Sequence, residues 1–264
     1  MEVTPLLKVE ELALKKQRVF MQSKYRYLLR AIIASMFIGF GVIVAFKTGN
    51  FFYAVGSPFT YPVAGITFGA AIILIAYGGG DLFTGNTFYF TLAALRKKMR
   101  WMMVIKLSVF SYLGNSIGAI VFAILIWTTG LFSNTSTNSF LITITEYKMT
   151  APGMELFFRG ILCNWLICLA FFIPMNLKEE GAKLFVMVIL VLCFFISGYE
   201  HSIANMCTFA IALVLPHPET ITLTGVIHNL VPVTVGNIIG GSVLMGYVYY
   251  YLNKPNFGED VTEE

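Results

Sequence analysis

Apolar positions along the chain gather into six long runs separated by short polar stretches. Four runs are continuous, over about 28–46, 103–128, 156–174 and 226–250. Each is close to the 20 or so residues a helix needs to cross a hydrocarbon core. The other two are interrupted: 60–77 resumes at 87–95, and 184–197 resumes at 206–215. The pattern predicts six crossings, two of them broken.

The two interruptions resemble each other. Gly79-Gly80-Asp81-Leu82-Phe83-Thr84-Gly85-Asn86 and Gly198-Tyr199-Glu200-His201-Ser202-Ile203-Ala204-Asn205 share the form Gly-x-acid-x-x-x-small-Asn. Non-helical backbone at membrane depth is tolerated only where protein buries it or where it lines a cavity. Broken helices at matching places in two halves of a chain point to a transport site.

Further matches follow in the same order. Gly114-Asn115-Ser116-Ile117-Gly118 in the third span recurs as Gly236-Asn237-Ile238-Ile239-Gly240 in the sixth, and Arg30-Ala31-Ile32 in the first recurs as Arg159-Gly160-Ile161 in the fourth. Three spans per half make the second repeat enter from the opposite face. The fold class predicted is an all-α membrane protein, an inverted repeat of three plus three helices (28–130 and 154–252) within one membrane domain, 1–264. The paired Gly-x-x-x-Gly patterns assign Gly114, Gly118, Gly236 and Gly240 to close helix packing.

Composition excludes a soluble alternative. The chain is 57% hydrophobic and 12% charged, against about 25% charged in ordinary soluble domains. Charge also orients the spans. With the amino terminus inside, fifteen Lys and Arg fall in inside segments and three (Lys47, Lys148, Arg159) outside, a positive-inside bias that sets both termini in the cytoplasm. No short apolar core with a cleavage site opens the chain, so the first apolar run reads as a retained span. Residues 6–24 read as an amphipathic helix with Val9, Leu12, Ala13 and Phe20 on one side. Its plainer reading is a helix lying on the membrane surface; the other is a gate, with Lys16 as the candidate. Residues 253–264 form an acidic tail, a solvated end. Cys163, Cys168, Cys193 and Cys207 lie scattered in apolar runs and read as small hydrophobes; neither a metal nor a cofactor is expected.

An unwound segment leaves backbone groups without helical partners. Asp81 and Glu200 can accept from such N–H groups, and Asn86 and Asn205 can bond to backbone or cap the restarting helices. These four read as loop scaffold rather than as solute contacts. His201 differs. Ionisable groups at membrane depth default to a functional hypothesis, and histidine alone has an unperturbed pKa near neutrality. Thr84 can bond either His201 or a solute, while Leu82 and Phe83 can form an apolar constriction. Spacing alone marks Phe68, Ile72 and Phe194 as core.

Three segments carry a resemblance. Gly80 to Asn86, Asn164-Trp165-Leu166-Ile167-Cys168-Leu169-Ala170 and Gly198 to Met206 resemble the signature segments of the formate–nitrite transporter family. The resemblance implies an aquaporin-like protomer, commonly in a homopentamer with one pore per protomer. The solutes it implies are small monovalent anions or their weak acids: formate, nitrite or hydrosulfide. It implies pore constrictions at Phe68, Ile72, Leu82, Phe83 and Phe194, a central histidine at His201 with Thr84, and pore-side positions at Asn164, Ile167 and Asn205. Lys148 matches a basic residue at the outer mouth. Asp81 stands where formate members commonly have glutamate, and Gly85-Asn86 where they have a serine pair; these departures count against formate and set the loop closer to the hydrosulfide and nitrite branches, with hydrosulfide preferred. The alternative is a proton-coupled formate or nitrite transporter.

Other classes lack their marks. A water or glycerol channel of the aquaporin type would carry paired Asn-Pro-Ala loops, and neither loop contains proline. No His-Glu-x-x-His suggests an intramembrane enzyme. The expected partners are the lipid bilayer, small anions and further copies of the chain, not nucleic acid.

Overall fold

A computed structural model describes residues 3–132, 134 and 138–257. The acidic residues of the predicted tail, Glu259, Asp260, Glu263 and Glu264, lie outside them. The described residues form helices joined by short turns. In order they are α1 (Val3–Gln22), α2 (Lys24–Tyr53), α3 (Thr60–Gly78), α4 (Phe83–Leu95), α5 (Trp101–Thr128), α6 (Ser139–Thr150) and α7 (Gly153–Phe172). There follow α8 (Glu180–Ile196), α9 (Ser202–Val214), α10 (Leu223–Ile239), a π-helical stretch (Gly240–Tyr247) and α11 (Val248–Asn253). Among the described residues five helical stretches are long and apolar enough to cross a membrane; α8, with 17 residues, is shorter and is followed after the break by the short apolar α9. Outward-facing Ile105, Val109, Leu113, Ile117, Ile120 and Ile124 on α5 are exposed, as suits an apolar solvent.

The two halves match helix for helix: α2–α5 in the first, α7–α11 in the second. Two left-handed glycines make the breaks. Gly79 (φ 75°) ends α3 and Gly198 (φ 69°) follows α8, a backbone that side-chain-bearing residues adopt at a cost and glycine adopts freely. Both breaks are shorter than the hydropathy implies. α4 restarts at Phe83 and α9 at Ser202, so Thr84, Asn86 and Asn205 sit in first helical turns rather than in loops.

The glycine pairs do close helices together, each within its own half. A Cβ on Gly118 would stand 2.2 Å from the Ile32 carbonyl oxygen, and one on Gly236 2.2 Å from that of Phe157. Thus α5 lies against α2 and α10 against α7. Beyond Gly240 the last span loosens into π geometry. Asn164 Nδ2 donates to the Asn237 carbonyl at 2.6 Å, just before this stretch.

Two elements depart from the sequence expectation. Helix α1 does not lie free on a membrane surface. Leu6, Val9, Ala13 and Phe20 are buried among Phe88, Leu92 and Ala93 of α4, with Phe20 edge-on to Phe110 at 5.0 Å. Some of its charges are also partnered: Lys8 Nζ donates to the Met175 carbonyl at 3.0 Å, and Glu10 pairs with Arg96. An apolar stripe with protein available docks on protein. Helix α6 lies within what reads as an external connection, where the sequence predicts no element. Its start is held by a distant residue: Asn50 Oδ1 accepts from the Phe140 N–H (3.0 Å) and the Ser139 hydroxyl (2.9 Å).

Candidate functional site

Both breaks are held by one hydrogen-bond scheme, used twice. The Asp81 N–H donates to the Arg30 carbonyl (3.0 Å), and the Glu200 N–H to that of Arg159 (3.3 Å). Asn115 on α5 accepts from the Phe83 N–H at 3.0 Å and donates to the carbonyls of Ala31 (2.7 Å) and Asp81 (3.1 Å). Asn237 on α10 accepts from the Ser202 N–H at 2.8 Å and donates to the carbonyls of Gly160 (2.8 Å) and Glu200 (2.9 Å). The first amide groups of both half-helices thus find partners in a dry interior, where an unmade hydrogen bond is expensive.

This scheme corrects the roles expected of the acids and amides. Asp81 and Glu200 do not cap backbone N–H groups, because Asn115 and Asn237 already serve those groups. Their carboxylates accept instead from side chains one turn on: Asn86 Nδ2 to Asp81 and Asn205 Nδ2 to Glu200, each 2.5 Å. Asn86 and Asn205 are therefore not N-caps; Leu82 and His201 hold those positions. Each acid also meets a lysine from outside the repeats. Lys16 of α1 stands 3.3 Å from Asp81, and Lys148 of α6 stands 2.9 Å from Glu200. Tyr27 and Ser111 complete the Asp81 cluster, and Asn229 joins Asn205 (2.8 Å) to the Lys148 carbonyl (2.8 Å).

Three cavities with shared walls run through the helical body between these lysines. The first, about 390 Å³, lies under α1 and is lined by Lys15, Lys16, Arg30, Asp81, Leu82 and Gly85 among others. The second is a chamber of about 20 Å³ between Leu82, Ile72 and Ile75 on one side and Phe68 and Phe194 on the other, with Ile167 in its wall. The third, about 100 Å³, opens under α6 past Phe68, Phe194 and His201 to Lys148, Glu200 and Asn205. A single water needs about 10–15 Å³ on this measure, so the chamber admits one group of that size and no hydrated ion. His201 is the polar side chain in the chamber wall.

The imidazole is fixed at both nitrogens. Its Nδ1 accepts from the Ala204 N–H at 3.0 Å, capping α9, and its Nε2 lies 3.0 Å from the Thr84 hydroxyl. With Nδ1 committed as acceptor, the neutral ring carries its proton on Nε2. A proton on Nδ1 and the cap of α9 exclude one another. Leu82 and His201 occupy corresponding N-cap positions in the two halves, so one site presents an isobutyl group and the other an imidazole across the same chamber.

Not every predicted site residue lies on this path. Phe83 turns away, its ring edge-on to Tyr112 at 5.0 Å. Asn164 is structural, donating to the Thr84 carbonyl (3.2 Å), Thr87 (2.9 Å) and Asn237. Sequence reasoning missed Asn115 and Asn237 as pins, although both sit inside the duplicated Gly-Asn segments. It also missed Tyr27, Ser111 and Asn229, which carry no local signal.

The comparisons agree with this architecture. A family model described as formate/nitrite transporter matches residues 5–251. The chain is 64% identical over 253 residues to the uncharacterized transporter YwcJ of Bacillus subtilis (strain 168), covering 96% of this chain and 99% of that one. It is 40% identical over 222 residues to the nitrite transporter NirC of Escherichia coli (strain K12), covering 83% and 80%. Among solved structures it is similar to an FNT family ion channel, with TM-score 0.87 and 34% identity over 94% of this chain and 98% of that one. It is also similar to a pentameric formate channel with formate bound, with TM-score 0.70 and 26% identity over 88% and 98%.

Proposed function

The chain belongs to the formate/nitrite transporter family, and from that premise we propose that it is a channel for small monovalent anions, with hydrosulfide as its preferred solute. The observation that carries the choice is the chamber of about 20 Å³ between Leu82 and the Phe68–Phe194 pair. It matches an ion with one heavy atom better than one with three. The apolar walls exclude hydrated ions, because a bare charge there is costly.

The residues take complementary roles in this reading. Lys148 raises the local anion concentration in the α6-side vestibule, though its ion pair with Glu200 tempers its field. The anion then sheds water at the phenylalanines and accepts a hydrogen bond from His201 Nε2–H, which leaves Thr84 to do so. Because Nδ1 is held by the cap, the ring acts as a hydrogen-bond donor and flux is passive. The α1 face, rich in Lys and Arg, is the cytoplasmic one, both termini are inside, and the protein resides in the cell's inner (plasma) membrane. The likeness to a pentameric formate channel supports a homopentamer with one path per protomer. A second reading, nitrite transport, is favoured by the 40% identity to nitrite transporters.

The test is flux in proteoliposomes for hydrosulfide, nitrite, formate and chloride at two pH values. Hydrosulfide faster than nitrite and formate supports the proposal. Nitrite or formate in the lead overturns the choice of solute, and flux coupled to a proton gradient overturns the passive mechanism.

A further inference from the structure

We infer that Gly85 is a specificity-determining residue: its missing side chain leaves the space in front of Leu82 through which anions larger than one heavy atom reach the constriction from the α1 side. The inference deepens the reading of the protein as a small-anion channel and rests on it.

Leu82, Gly85 and Tyr89 fall on one face of α4, and all three line the α1-side cavity. The other residues of the first turns, Phe83, Asn86 and Phe88, are buried away from it. Neither of the usual reasons for a glycine applies at position 85. Its φ is not in the left-handed range, as those of Gly79 and Gly198 are. No neighbour demands its absence of bulk, since a Cβ built there meets nothing within 4 Å. The helix-packing glycines behave differently: a Cβ on Gly114, Gly118, Gly236 or Gly240 falls within 2.5 Å of a neighbouring helix. A glycine within a helix also destabilises it relative to alanine. Gly153 and Gly181, in the first turns of α7 and α8, are equally open to a Cβ; Gly85 differs from them in lining a cavity.

The quasi-equivalent position supports this. Counting from Asp81 and Glu200, Gly85 corresponds to Ala204, which carries a methyl group and lines both the chamber and the α6-side vestibule. The two approaches to the chamber are therefore unequal at matching places, with the wider cavity on the glycine side. A side chain at 85 projects into open space, so substitution changes the path without repacking the protein.

The experiment uses the full chain in proteoliposomes with Gly85→Ala and Gly85→Val, measuring hydrosulfide, formate and acetate fluxes in each. Each added carbon narrows the approach to Leu82, so the formate-to-hydrosulfide and acetate-to-hydrosulfide flux ratios are expected to fall progressively from glycine to alanine to valine. Unchanged ratios, whatever the absolute rates, overturn the inference. Gly85→Cys in a Cys193→Ser background gives an independent reading, since the other three cysteines are buried. An anionic methanethiosulfonate is expected to modify Cys at 85 and to slow flux. A thiol that resists modification, or one whose modification leaves flux unaltered, also overturns it. If the unsubstituted protein passes none of these anions, the channel reading itself fails, while labelling still reports whether position 85 faces the cavity.

Discussion

Replacing Asn237 with alanine tests whether the duplicated asparagines hold the broken helices. The side chain is fully buried and makes three hydrogen bonds across α7, the second break and α9. The Gly160 carbonyl lies within α7 and keeps its own helical position, so the loss falls on the Ser202 N–H and the Glu200 carbonyl. Each buried group left unmatched costs about 1–3 kcal/mol, which sums to roughly 4 kcal/mol. At about 2–4 °C per kcal/mol for a chain of this size, the melting temperature should fall by about 8–16 °C. These two groups flank His201, so anion flux per folded protomer should fall as well. Asn237→Asp retains the acceptor for Ser202 but sets a carboxylate against two carbonyls, and should be no better than alanine. The assay is thermal unfolding of purified protein in detergent, beside proteoliposome flux. Thr128→Ala, which removes an exposed hydroxyl bonded within its own helix, serves as control. A shift for Asn237→Ala no larger than the control's would refute the pinning argument. A large shift with wild-type flux would refute the claim that the pin positions His201. Asn115→Ala should match Asn237→Ala within a factor of about two in free energy, because the bonds are duplicated.

Three further outcomes follow from the same geometry. His201→Asn keeps an acceptor for the Ala204 N–H, since asparagine is a good N-cap, but cannot reach Thr84. The buried Thr84 hydroxyl is then left unmatched, so the melting temperature should fall by about 2–12 °C for about 1–3 kcal/mol, while flux per folded protomer drops about tenfold for one hydrogen bond lost; equal flux would remove the imidazole from the path. Lys148→Ala strands the buried Glu200 carboxylate and should destabilise by about 3–5 kcal/mol. Adding Glu200→Gln should recover most of that in a denaturation series, and no recovery would show that the pair is not the cause. Gly236→Ala drives a Cβ into the Phe157 carbonyl and should cost about 1–3 kcal/mol or more, measurable as lost thermal stability. The same change at Gly85 should be neutral or stabilising.

Features that depend on local period and on repetition were legible in the chain alone. A membrane helix must be apolar over its length wherever it packs, so the six runs and their two interruptions were readable from hydropathy. Duplication printed the Gly-x-acid-x-x-x-small-Asn pattern twice, and so placed Asp81, Glu200 and His201 at matching breaks. The family resemblance then added Phe68, Ile72 and Phe194, which spacing alone had marked as core and which line the chamber.

Tertiary structure decided the rest, because a hydrogen bond depends on which groups meet and not on which groups are present. Asn86 and Asn205 had plausible backbone partners in their own segments; approach of α5 and α10 gave those partners to Asn115 and Asn237 and left the amides to the carboxylates. Phe83 and Leu82 are adjacent in a helix start, so at most one of them can face the chamber, and only the orientation of α4 selects Leu82. The dock of α1 depended on an apolar surface assembled from α4 and α5, and α6 on Asn50 at the far end of α2. Each of these is a contact between residues distant in the chain, to which no local pattern is sensitive.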